Sequence, residues 1–255
     1  MERMYGSHLK SSLQLFPGIG EKKEKQLFGV GVYDWESLIQ YQKQKNDPLL
    51  PSVSILWERF CELEHQLSEA NFSFFTNELP SLEYWRLWQN FPEKFCFLDI
   101  ETTGISVTSV TTVVSLYQDK KMSTFERGKD LEFLFDTISP EDILVTYNGK
   151  RFDIPFLEKE FHFRVKNPQL DLMNLLHSIG IKGGLKKSEV LLGLVRPEEI
   201  AGMDGREAPL LWFEYQRTNN KEALEKLIAY NREDTKNLEI VLEKTINRLT
   251  ENRLF

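Results

Sequence analysis

The sequence predicts an α/β protein: a mixed β-sheet flanked by helices, with a small all-helical region ahead of it. Three observations carry that expectation. Runs rich in β-branched and aromatic residues fall between positions 95 and 148, in "FCFLDI", "VTSVTTVVSLY", "KMSTFE" and "DILVTYN". Segments with apolar residues three and four apart lie on both sides of them. Three strands in succession, then helix, strand and a run of helices, suit a sheet of mixed direction better than a strictly alternating parallel one.

Taken in order, the elements divide the chain into three regions. Residues 1–45 contain "LFPGIGEKKEKQLFGVGVYDWESLI", a glycine-punctuated helical stretch. Residues 46–91 open with the proline-bearing break "NDPLLPS" and continue as the helical pattern "VSILWERFCELEHQLSEA". Residues 92–255 hold the sheet. After its first three strands, "DLEFLFDTI" reads as helical, "DILVTYN" as a strand and "FDIPFLEKEF" as a helix. The segments "DLMNLLHSI", "LKKSEVLLG", "APLLWFEYQR" and the long "KEALEKLIAYNREDTKNLEIVLEKTINRL" are all helical in pattern.

Composition narrows the class. With 255 residues, 41% hydrophobic and 28% charged, the chain reads as globular, with a sizeable core. No run approaches the roughly 18 apolar residues of a membrane span, and "MERMYGSHLKSSLQLF" has no signal-peptide core, so the expectation is a cytoplasmic protein with no membrane partner. Cys61 and Cys96 offer neither a disulfide framework nor a thiolate metal site. The net charge of −7 argues at first against a phosphate-rich partner. Its distribution changes that: residues 148–187 carry eight Lys or Arg against four Asp or Glu, a local net of +4.

The chemistry-bearing residues begin in "FLDIETTG". Side chains alternate along a strand, so Asp99 and Glu101 share a face. Two adjacent carboxylates repel unless a cation compensates, and hard oxygen donors suit Mg²⁺ or Mn²⁺. A solvated strand end with two unrelated acids is the plainer alternative. In "YNGKRFDIPFL", Asp153 opens a helix, either as a cap or as a third acid, with Asn148 and Phe152 beside it as a turn residue and a core aromatic or as substrate contacts. In "YNRED", Tyr230 and Asp234 stand four apart, on one helix face.

In this order the four acids resemble the DEDD family of 3'-to-5' exonucleases, which have a ribonuclease H-like fold. "LDIETTG" is similar to the family's first motif, "NGKRFD" to its second, and "YNRED" to its third in the tyrosine (DEDDy) form; the histidine form would place a His where this chain has Ala229. The segments "GGLKKSEVLLGL" and "GREAPLLWFEYQRTNNKEALEKLIAYNREDTKNLE" further resemble the YprB-type predicted exonucleases.

The resemblance implies two divalent cations, Mg²⁺ or Mn²⁺, held by Asp99, Glu101, Asp153 and Asp234, with Tyr230 orienting the attacking water. It also implies a nucleic-acid partner, a single-stranded 3' end, approached by Thr102, Thr103, Gly104, Asn148 and Phe152. A catalytically silent nucleic-acid-binding module on the same fold is the alternative. Asp171 is expected to cap its helix, and Lys186 and Lys187 to form a solvated helix face, with phosphate contact as the second reading.

Near the N-terminus, "FPGIGEKKEKQLFGVGV" resembles a helix-hairpin-helix motif. Gly18 and Gly20 permit a tight hairpin whose backbone N–H groups can face a phosphate. A glycine turn between two packing helices is the structural alternative.

Overall fold

The computed structural model describes residues 7–197, 203 and 205–253. The chain divides into two compact units, Met1–Pro92 and Glu93–Phe255.

The first unit is helical. It contains α1 (Glu21–Phe28), α2 (Trp35–Lys45), α3 (Val53–Ser68) and α4 (Phe72–Glu78), with 3₁₀ turns at Leu13–Leu15 and Ser81–Leu87. Leu9, Leu13, Trp35, Leu38, Leu56, Leu63, Phe75 and Trp85 are buried. The Asp34 side chain caps α2 by accepting from the Ser37 N–H at 2.7 Å, and Asn46 ends it in the left-handed region at φ 46°. Among the core sits a buried charge network. The Arg86 guanidinium donates to both Glu24 carboxylate oxygens (3.1 and 3.0 Å), to Glu83 (2.6 Å) and to the Ser11 hydroxyl (2.8 Å). The segments before and after residue 46 pack within this one unit, since Lys10 pairs with Glu64 at 2.6 Å and Arg59 donates to the Leu15 carbonyl at 2.8 Å.

The second unit is built on a five-stranded sheet in the order β3-β2-β1-β4-β5, the strands being Phe95–Thr102, Thr111–Gln118, Lys121–Glu126, Ile143–Thr146 and Gln169–Asp171 in chain order. β1 and β2, and β2 and β3, pair antiparallel; β4 pairs parallel with both β1 and β5. The sheet is therefore mixed, as expected from the run of strands. β5, three residues long, carried no period in the sequence and is an addition to the expected strands. The segment "DLEFLFDTI" forms a 3₁₀ turn at Leu131–Asp136.

Helices cover both faces. Cys96, Leu98 and Ile100 of β1 point to one face and join a core with Val114, Leu116 and Leu144 of the neighbouring strands, closed by Leu134 and by Ile154 and Leu157 of α5 (Asp153–Phe161). On the opposite face, Val113 packs with Ala208 and Trp212 of α8 (Glu207–Thr218) and Leu227 of α9 (Lys221–Arg253). Between α5 and α8 lie α6 (Leu172–Ser178) and α7 (Leu185–Leu191). α9 buries Leu227, Tyr230, Asp234, Leu238, Val241 and Leu242, a stripe at three- and four-residue intervals. No described helix is long and apolar enough to cross a membrane.

Candidate metal centre

The alternation that sends Leu98 and Ile100 into one core sends Asp99 and Glu101 to the face covered by α9. Asp99 stands opposite Ser115 and Glu101 opposite Val113; the register then shifts between Glu101 and Thr102, an irregularity directly after the acids and one pair before the ladder ends at Thr102 and Thr111. From α9, Asp234 projects toward the same place. Asp99, Glu101 and Asp234 each present a carboxylate oxygen, and these atoms lie within 4.8 Å of one another.

Asp153 comes from the other side. β4 pairs with β1 only through Phe95–Phe97, so the β1 backbone beyond that point has no strand partner on this edge. The buried Asp153 carboxylate, at the first position of α5, accepts from the Ile100 backbone there. It lies outside the trio, yet its charge bears on both Asp99 and Glu101. The turn that delivers it is tightly specified. Asn148 adopts φ 63°, and a Cβ at Gly149 would lie 2.2 Å from the Thr146 hydroxyl oxygen. Asp171 accepts from the backbone N–H groups of Asn148 (2.9 Å) and Lys150 (3.4 Å) and caps α6 through Met173 at 3.0 Å. The expected cap at Asp171 is thus also the anchor of the turn before Asp153.

Burying like charges raises their pKa values. Burial, then the charges of Asp234, Asp153 and Glu101, hold the Asp99 carboxyl well above the usual range, with the Asn231 hydrogen bond opposing. Burial and the Asp234 and Asp153 charges do the same to Glu101, with Lys186 opposing. Burial pushes Asp153 up to about 7. Asp234 is raised by burial against the pull of Arg196 and the Tyr230 hydrogen bond. The Tyr230 phenol is raised above 10.0, first by burial and then by Asp234 and Glu101, so it stays protonated and donates to Asp234.

The donors are hard carboxylate oxygens converging from a strand and two helices, and their own repulsion disfavours the charged apo state. That set fits a divalent cation of the Mg²⁺ or Mn²⁺ type. Asp99, Glu101 and Asp234 are the residues placed to hold it, with Asp153 beside them.

Residues 96–246 match the family model RNase_H_2, described as RNase_H superfamily. The chain belongs to the RNase_H superfamily. "Uncharacterized protein YprB" of Bacillus subtilis (strain 168) is 28% identical over 200 residues, which are 70% of this chain and 47% of that protein. The chain thus spans about half the length of that relative. Among solved structures, the family B DNA polymerase of the hyperthermophilic archaeon Pyrobaculum calidifontis aligns with a TM-score of 0.42 and 16% identity, covering 56% of this chain and 24% of that one.

The RNase_H domain has the α/β architecture expected of a ribonuclease H-like protein, and it places three further residues at the acids that the sequence reading did not assign there. Asn231 Nδ2 donates to the Asp99 carboxylate at 2.8 Å and to its carbonyl at 3.2 Å. Arg196, after α7, grips Glu189 with two donors (2.6 and 2.9 Å) and sets Nη1 2.6 Å from Asp234 Oδ1, an ion pair whose N–H is poorly aligned for a hydrogen bond. Lys186 is not the solvated residue expected of it: its Nζ is buried and lies 5.1 Å from the Tyr230 ring centroid. A signal for Asn231 was present, one residue after Tyr230 on the same helix turn. For Lys186 the only signal was the second reading of phosphate contact, and for Arg196 there was none, because the approach of both depends on how α7 and the chain after it pack.

The expected substrate contacts fall into two groups. Thr102 and Thr103 build the turn after β1, Thr102 Oγ1 donating to the Gly104 carbonyl at 2.8 Å and Thr103 Oγ1 accepting from the Val110 N–H at 3.0 Å. Gly104 sits at φ 145°, and Ile105 and Val107 beyond it are exposed. Phe152, in contrast, packs on the core cluster against Phe156, ring centroids 5.5 Å apart. In the N-terminal unit, Gly18 takes φ 75° and Gly20 precedes α1; both line a cavity of about 560 Å³ with Phe16, Arg59 and Glu78. Of the nearby lysines, Lys25 pairs with Glu21 (2.6 Å) and Lys23 with Asp47 (3.5 Å).

Proposed function

We propose that this chain is a metal-dependent 3'-to-5' exonuclease of the tyrosine subclass, acting on single-stranded 3' ends of DNA or RNA in the cytoplasm. The observation that carries the reading is the convergence of Asp99, Glu101 and Asp234 within 4.8 Å, with Asp153 buried beside them. Asp99, Glu101, Asp153 and Asp234 would hold two Mg²⁺ or Mn²⁺ ions. Such a pair supplies charge neutralisation for the attacking and leaving oxygens of an in-line phosphodiester displacement.

The chain's own groups do the rest. Asn231 fixes the Asp99 carboxylate, so its second oxygen stays directed at the site. Tyr230 keeps its proton near neutral pH and is therefore no general base; bonded to Asp234, it has an oxygen lone pair left to orient water. Thr102, Thr103, Gly104 and Asn148 line the approach for the terminal nucleotide. The hairpin at Gly18 and Gly20 would meet nucleic-acid backbone in the manner of a helix-hairpin-helix.

One observation favours a second reading, a nucleic-acid-binding module without turnover: Arg196 already neutralises Asp234. A digest of 5'-labelled DNA and RNA oligonucleotides with Mn²⁺, Mg²⁺ or EDTA separates the two. Stepwise shortening with either metal, absent in EDTA and lost in Asp99→Ala, is the expected result. Binding without shortening supports the silent module, and a discrete internal cut contradicts the exonuclease.

A further inference from the structure

Two cations lie over the Tyr230 ring at the acidic site, and they differ in what their donors do. Arg196, its guanidinium carbon 5.9 Å from the ring centroid, is committed: two donors go to Glu189 and Nη1 lies against Asp234. Glu189 is itself held by Asn237 at 3.0 Å, so Arg196 belongs to a closed network. Lys186 is the opposite case. Its ammonium is buried 5.1 Å from the ring centroid, has no hydrogen-bond partner and forms no ion pair with a described carboxylate. An ammonium carries three donors, and burying it with none engaged is unfavourable. Its charge nevertheless reaches Glu101, whose carboxyl it biases toward the charged form.

The backbone that holds Lys186 there is well anchored. The Tyr147 hydroxyl, just beyond β4, donates to the Gly183 carbonyl at 2.7 Å and lies 2.9 Å from the Ser188 hydroxyl. This fixes α7 to the end of the sheet from which β1 delivers its acids. Gly183 takes φ 137°, and a Cβ there would come within 2.7 Å of the Lys187 side chain, so the entry to α7 tolerates only glycine. A rigid element thus carries an ammonium with unused donors to the carboxylates.

We propose that Lys186 is a catalytic residue whose ammonium donates to a non-bridging oxygen of the scissile phosphodiester. The inference rests on the exonuclease reading and adds to it a phosphate contact from the chain itself. A simple counter-ion for the acids would form an ion pair, as Arg196 does; Lys186 forms none. In the displacement, a water oxygen bonds to phosphorus and gives up a proton to solvent as the bond to the 3'-oxygen breaks. The bonding pair leaves on that oxygen, which takes a proton from solvent to become a 3'-hydroxyl, and the nucleoside 5'-monophosphate is released. Along the way negative charge accumulates on the phosphoryl oxygens. Lys186 meets that charge with a preorganised donor and transfers no proton.

The test compares wild type, Lys186→Met and Lys186→Arg. Four quantities are read: turnover of a single-stranded oligonucleotide with Mn²⁺, Mn²⁺ affinity by calorimetry, affinity for a nucleoside 5'-monophosphate with Mn²⁺ present, and melting temperature. The expected result for Lys186→Met is kcat down about a hundredfold with monophosphate affinity down about tenfold. Its Mn²⁺ affinity is expected to hold or tighten, because a cation has been removed, and Lys186→Arg should recover part of both losses. Unchanged kcat and monophosphate affinity in Lys186→Met overturn the proposal. So does a loss accompanied by weakened Mn²⁺ binding or a lowered melting temperature that Lys186→Arg shares, which marks a structural residue. If wild type does not turn over, the exonuclease reading fails by itself. Monophosphate affinity then decides the phosphate contact: a loss in Lys186→Met retains it, and no change removes it.

Discussion

The two units bury charge in opposite ways. In the N-terminal unit, Arg86 is fully buried, yet every part of its guanidinium is engaged, by Glu24, Glu83 and Ser11. Glu24 also accepts from the Leu13 N–H at 2.8 Å and the Gln14 amide at 2.9 Å. At the end of β1, four acids face one committed arginine and one lysine without a hydrogen-bond partner, and all four carboxyls are pushed upward. A charge network closed by its own partners holds a fold together. One left short of cations is held by the fold, at a cost, for something that arrives from outside.

That contrast can be broken by substitution. Arg86→Met should cost about 3–5 kcal/mol of stability, because it strands buried carboxylates in a network that was complete. Asp99→Asn should do the reverse in metal-free protein and raise the melting temperature, since it removes one of the mutually repelling acids while keeping an oxygen for Asn231. Denaturant or thermal melts in EDTA check both; a destabilised Asp99→Asn would place the acids in the same class as Arg86.

Titration sharpens the comparison at smaller amplitude. The site carboxyls have folded-state pKa values above their unfolded ones, so between those values the folded chain binds more protons than the unfolded chain. Metal-free stability should therefore fall as pH rises from about 4 through about 7, the value reached by Asp153. Divalent cations compete with those protons, so Mn²⁺ should raise the melting temperature more at pH 8 than at pH 5. Equal Mn²⁺ effects at both pH values would mean that the ion binds elsewhere.

The smallest effect is expected at the aromatic beneath the two cations. Tyr230→Phe removes a hydroxyl that bonds Asp234 without removing a metal ligand. Hydrolysis should slow about tenfold to a hundredfold with Mn²⁺ affinity nearly unchanged. Rate and calorimetry measured on the same preparation check it, and a rate equal to wild type takes Tyr230 out of the mechanism.

Much of this arrangement was legible because it follows from local periodicity. Alternation along β1 put Asp99 and Glu101 on one face, and a four-residue spacing put Tyr230 and Asp234 together on α9. What stayed hidden depends on tertiary placement or on lengths too short to carry a period. β5 is only Gln169–Asp171, yet it positions the aspartate that anchors the Asn148 turn. Lys186 read as a solvated lysine because nothing in "GGLKKSEV" reveals which way α7 packs. Phe152 could be read as a base platform or as core, and the choice depended on where α5 lay.

The central claim is that the four acids form a divalent-cation site, and a Mn²⁺ titration of the intact chain tests it most directly. Calorimetry at pH 8 on wild type and Asp99→Asn should show two Mn²⁺ bound by the first, with at least one lost in the second. Wild type that binds no Mn²⁺, or Asp99→Asn that binds it equally well, would contradict the account.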